Sequence, residues 1–194
     1  MPSTPLTDEQ KTMIRELPVR EKDKLLLRLI KKDDLLLEQL TYEHIEHGST
    51  LELRADEQRE YYREQLGKHK GGTPDALMKR MRKASGYLTR HVRVTKDKLG
   101  EVSMLTDMLH YALDQNLAPM RKRFRNPNRW YRLAKYVSSR LGPLTRKADK
   151  LHPDYWIEFE GQLNDLLLLV HDTPELNGEA ERQGVPRRWD GPVE

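Results

Sequence analysis

Apolar residues in this chain recur every three or four positions, the spacing of one face of an α-helix, and almost never alternate as a half-buried strand would. Thr7, followed three residues later by Gln10, has the pattern of a capping box, in which each side chain bonds the other's free backbone N–H. Pro18 suits the first turn of the next helix, where its missing N–H has no partner to lose. The stretch "REKDKLLLRLI" then places Leu26, Leu29 and Ile30 on one face. Asp33 or Asp34 is placed to cap a further helix. Alternatively, the phase Leu26, Ile30, Leu37, Leu40 carries a single helix to His47. In either case Gly48 ends it by supplying a left-handed conformation.

A polar helix is predicted over about 50–66, then a loop "GKHKGG" at 67–72. Thr73-Pro74-Asp75 opens a helix with a cap, a proline in the first turn and an acid near the positive dipole end. Its stripe is Leu77, Met81, Ala84, Leu88 and Val92. The next helix covers about 97–117, with Val102, Leu105, Leu109 and Ala112 inward, and is broken at Pro119. Asn128 is expected to cap a helix carrying Trp130, Leu133, Val137, Leu141, Leu144, Ala148 and Leu151, kinked or split at Gly142-Pro143. Pro153 opens a last long helix to about His171, whose "LLLLV" is apolar nearly all round, the mark of a helix buried between neighbours. The β-branched "HVRVT" at 91–95 is too short to found a sheet.

The expected fold class is therefore all-α: roughly seven to eight helices of about 10–20 residues with short joints, which favour antiparallel neighbours. They form either a compact multi-helix bundle or a short α-solenoid with HEAT-like stacking; no self-similar repeat period is present to decide between them. Residues 1–171 are expected as a single domain, and the Pro-, Gly- and charge-rich residues 172–194 as a loosely ordered tail.

With 194 residues, a chain can bury roughly 70% of its unfolded surface and needs no staples. The absence of cysteine excludes disulfides, thiolate zinc sites, iron–sulfur clusters and a cysteine nucleophile. The start "MPSTPLTDEQK" lacks the basic and apolar segments of an export signal, so a soluble cytoplasmic protein is expected.

Charge changes the picture. Residues 67–150 carry 21 Lys/Arg against 6 Asp/Glu, whereas residues 1–66 carry 11 against 15 and residues 151–194 carry 3 against 10. A basic centre between acidic ends implies a polyanionic partner, or pairing between the segments or between copies. Stepping 100° per residue from Trp130 puts Arg132, Lys135, Arg146 and Lys150 about 140–200° from the apolar stripe, with Tyr131 and Tyr136 on the flanks, where a base could stack. From Leu77, the residues Lys79, Arg82, Lys83, Arg90 and Arg93 fall likewise on the far side. Solvated faces usually mix signs, because Glu–Lys pairs four apart are stabilising. Residues 121–150 hold 11 Lys/Arg and one acid, Asp149. Together with Lys68, Lys70, Arg121, Arg123, Arg125 and Arg129, these cations and Tyr131 make up the expected polyanion-binding set.

Other chemistries fare worse. His44 and His47 are three apart on a helix, but neither Glu-x-x-His nor His-Glu-x-x-His occurs, and the helix dipole alone favours histidine there, so no metal is expected. "GKHKGGT" departs from the phosphate-loop pattern in spacing and follows a helix where a strand should stand. No nucleophile elbow, RNP motif or zinc finger is present. The expectation is a non-enzymatic helical protein without cofactor, binding nucleic-acid backbone without base readout. The alternatives are an adaptor for an acidic protein partner or for itself, and, third, an enzyme without a linear motif.

Overall fold

In the computed structural model, which describes residues 5–67 and 72–192, the chain is all-α, with no strand among the described residues. It divides into two compact units, Met1–His47 and Gly48–Glu194, where one domain to residue 171 was expected.

The N-terminal unit contains α1 (Asp8–Glu16), α2 (Val19–Ile30) and α3 (Asp34–Leu40), followed by a π-helical turn, Thr41–Ile45. Both capping-box bonds form: the Gln10 N–H donates to Thr7 Oγ1 at 3.3 Å, and the Thr7 N–H donates to Gln10 Oε1 at 3.0 Å. Pro18 occupies the cap position of α2. Asp33 caps α3, accepting the N–H groups of Leu35 and Leu36 at 3.0 and 3.1 Å, so the chain is jointed here and not one long helix. It leaves the unit through two left-handed residues, His47 (φ 50°) and Gly48 (φ 73°). None of these elements buries a residue. Leu26 and Leu29, expected to face inward, are 54% and 50% exposed, because three short helices have too little chain to enclose a core.

The second unit contains α4 (Leu51–Gly67), α5 (Pro74–Thr95), α6 (Lys98–Arg123), α7 (Tyr131–Ala148), α8 (Glu160–His171) and α9 (Pro174–Arg182). Helix α6 is central, packing against α4, α5, α7 and α8, and it buries Val102, Met104, Met108, Leu109, Ala112, Leu113 and Met120. Polar groups fix the register around it. The buried Asn116 amide donates to the carbonyls of Leu66 (3.0 Å) and Ala112 (2.9 Å). Gly67 lets α4 approach: a Cβ there would come within 2.6 Å of the Tyr111 hydroxyl. Asp107 collects the Tyr62 hydroxyl from α4, Arg63 at 3.2 Å and Gln162 of α8 at 3.0 Å. Burial and this carboxylate push the Tyr62 phenol pKa up, so it remains a donor.

Several boundaries differ from the sequence reading. Helix α6 runs through Pro119 to Arg123; Leu117 and Met120 on either side of the proline are buried, and their packing outweighs one lost backbone bond. Asn126, not Asn128, is the capping residue: its side chain accepts the Asn128 N–H at 3.0 Å over the 3-10 turn Pro127–Arg129. Helix α7 is continuous across Gly142-Pro143. Pro143 and Ser139 are both exposed, so water can replace the N–H that the Ser139 carbonyl lacks. Pro153 opens a 3-10 turn to Glu158, and α8 starts only at Glu160. Residues 172–192 are ordered: α9 packs against α7 and α8, and Leu176, Ala180, Val185 and Trp189 are buried.

His91 of α5 is buried, and its Nε2 has no hydrogen-bond partner among the described residues. Desolvation lowers its pKa, Asp97 opposes this, and Arg54 and Arg59 reinforce it. A depressed histidine favours the folded state only while neutral. As pH falls below the ordinary value of 6.5, the unfolded chain takes up a proton that the native site resists, so stability drops from there toward the lowered folded value. The urea midpoint is accordingly expected to fall between pH 7 and pH 5, and His91→Gln to flatten that dependence.

Candidate polyanion-binding face

The local sequence rules that place α5 and α7 also decide where their cations point. Thr73 caps α5, its hydroxyl accepting the Ala76 N–H at 3.1 Å with Pro74 in the first turn. The stripe Leu77, Met81, Ala84 and Leu88 is buried, and Lys79, Arg82 and Lys83 are exposed on the opposite side. In α7, Leu133, Val137, Leu141, Leu144 and Ala148 are buried, while Tyr131, Arg132, Lys135, Arg140 and Arg146 are exposed. Trp130, just before α7, is buried and donates through its indole N–H to the Phe124 carbonyl at 2.8 Å.

The two helices pack side by side and run in the same direction. Arg132 pairs with Asp75 at 3.6 Å, and further along, the Tyr136 hydroxyl bonds Ser85 Oγ at 3.0 Å. At this seam the two cationic faces meet. The Arg82 guanidinium lies 5.6 Å from the centroid of the Tyr136 ring, and that of Arg140 lies 5.3 Å from the same centroid. Among the described residues neither is paired with a carboxylate. Two guanidiniums drawn to one ring gain cation–π attraction but repel each other. A cation–π contact of this kind leaves the planar N–H donor fork of each guanidinium unused.

Other expected site residues are distributed as follows. Lys68 and Lys70 lie outside the described residues. Lys135 Nζ stands 6.0 Å from the Tyr131 ring, and Tyr131 is 48% exposed. Arg129 and Arg123 both lie over Phe124, at 5.9 Å. Arg125 and Lys150 are exposed. Arg90, Arg93 and Arg123 each have an interaction within the chain. Two cations are neutralised from within: Arg132 by Asp75, and Arg121 by Glu175 of α9 at 3.0 Å. The seam therefore leaves Lys79, Arg82, Lys83, Lys135, Arg140 and Arg146 without a carboxylate among the described residues.

The sequence reading missed Arg140 and misplaced Tyr136. Tyr136 is buried between the helices, so it is no surface for a base. Arg140 follows it by four residues, the spacing that brings two side chains onto one helical face, and this is the signal that identifies it.

No helix among the described residues is long and apolar enough to cross a membrane. No cluster of three or more His, Asp or Glu side chains suited to a metal ion occurs among them. Comparison with protein-family models, curated proteins and solved structures finds no match to this chain.

Proposed function

We propose that this protein binds the phosphate backbone of nucleic acid through the α5–α7 seam, without base readout and without catalysing a reaction. The carrying observation is the pair Arg82 and Arg140, gathered on one tyrosine ring and, among the described residues, without a carboxylate partner. Lys79, Lys83, Lys135 and Arg146, exposed on the same two helices, add to the field, and contacts from Lys and Arg to phosphate position a protein on nucleic acid without reading its sequence.

A second reading, an adaptor for an acidic protein surface, draws on Arg132–Asp75 and Arg121–Glu175, in which carboxylates meet cations of the same basic segments. Fluorescence anisotropy with a labelled oligonucleotide tests the first reading. With about four phosphates neutralised, affinity is expected to fall roughly 100-fold from 50 to 200 mM salt and to be indifferent to base sequence. Absence of binding at low salt, or binding insensitive to salt, overturns it. Displacement by poly-glutamate at equal charge concentration favours the adaptor.

A further inference from the structure

Residues 185–192 are held as a ligand is held. After α9 the backbone turns at Gly184, in the left-handed region with φ 66°, where a Cβ would meet nothing within 4 Å. Val185 is buried, and its carbonyl lies 3.2 Å from His171 Nε2. Arg187, Arg188 and Asp190 remain exposed.

Between them Trp189 fills a slot. Its ring meets the edge of Trp156 at 5.3 Å and Phe159 at 5.3 Å, and its indole N–H donates to Asp149 at 2.7 Å. Asn164 of α8 reads the backbone of the same residue in both directions: Oδ1 accepts the Trp189 N–H at 2.7 Å, and Nδ2 donates to the Trp189 carbonyl at 3.1 Å. An amide side chain so arranged mimics a neighbouring strand and recognises any extended backbone. The side-chain pocket then selects the aromatic residue. Two residues on, Gly191 (φ 89°) passes under Trp156, where a Cβ would come within 2.8 Å of the ring. The slot therefore asks for Trp-x-Gly, a sequence that occurs in this chain only at Trp189-Asp190-Gly191.

We infer that this slot is an exchangeable docking site, and that its partner is the same C-terminal strap, residues 185–192, of a second copy of the chain. The strap makes its contacts as a discrete segment beyond an open glycine hinge. The same Asn164, Asp149, Trp156 and Phe159 contacts re-form when two copies trade straps. Eight residues reach at most about 27 Å, enough for reciprocal exchange between copies that bring their Gly184 hinges together. In one chain the tether gives the strap a local concentration on the order of millimolar, which holds exchange back until the cis strap is weakened or lifted. The inference is independent of the polyanion reading.

Complementation between two full-length variants tests it. Trp189→Ala keeps an intact slot and loses the anchor; Asn164→Ala with Asp149→Ala keeps the anchor and damages the slot. Neither is expected to dimerise alone, whereas an equimolar mixture is expected to form a heterodimer by native mass spectrometry, at least tenfold tighter than either self-association. A mixture no more associated than its components, with both retaining helical circular dichroism, overturns the inference. If Trp189→Ala does not fold, Gly191→Val takes its place, since its Cβ spoils docking through Trp156 and leaves the tryptophan in the chain.

Discussion

Replacing Arg82 and Arg140 together by alanine is expected to weaken oligonucleotide binding roughly 100-fold near 0.1 M salt. A hydrogen bond to a charged group contributes about 1.5–3 kcal/mol, so two guanidinium–phosphate contacts at the low end amount to about 3 kcal/mol, and 1.4 kcal/mol is tenfold. The salt dependence changes with it: two fewer neutralised phosphates lower the slope by about 1.4–1.8. Stability is expected to change much less. Both side chains are exposed, and the cation–π contacts to Tyr136 contribute about 0.5–1 kcal/mol each at such sites. The double lysine variant keeps the charge and loses the planar fork, so it should recover only part of the affinity. Arg59→Ala removes an arginine of α4 that pairs with Asp56 at 2.7 Å and is expected to leave binding unchanged. Affinity and slope in the double alanine variant equal to those of the parent chain would exclude the seam as the binding face.

Trp130→Ala is expected to cost about 3–5 kcal/mol, the range for truncating a large buried aromatic side chain. Trp130 is 1% exposed, and its indole N–H closes the turn between α6 and α7 by bonding the Phe124 carbonyl at 2.8 Å. Truncation leaves a cavity among core residues and an unsatisfied carbonyl beside it. For a domain of this size each kcal/mol moves the thermal midpoint by about 2–4 °C, so a fall of roughly 6–20 °C is expected by calorimetry. A fall of only a degree or two would mean that Trp130 does not belong to the cooperative core.

Local chemistry was the most legible part of this fold. Thr7 and Thr73 cap the helices assigned to them, and Asp33, one of two candidates with Asp34, caps α3, because a cap depends on a few adjacent residues. The apolar stripes of α5 and α7 are buried as their period implies, except at their far ends, where Val92 and Leu151 are partly buried. What escaped the sequence reading depends on distant partners. Pro119 and Pro143 read as breaks, yet packing carries both helices through them. Leu26 and Leu29 have helical spacing but no core to enter. Composition marks residues 172–194 as loose, although four well-spaced apolar side chains, Leu176, Ala180, Val185 and Trp189, anchor residues 172–192. At the candidate face, periodicity alone located Arg82 on the polar side of its helix, but the juxtaposition with Arg140 across Tyr136 needs the relative position of two helices, which no single-helix pattern contains.

The arrangement at Tyr136 bears on the entropy of capture. A free arginine loses about 2 kcal/mol of rotamer freedom when immobilised. Arg82 and Arg140 already lie against a ring that is itself fixed by the hydroxyl contact to Ser85. Part of that ordering is complete before any anion arrives. On the proposed reading, the seam meets a phosphate as a preformed cleft rather than as two mobile arms.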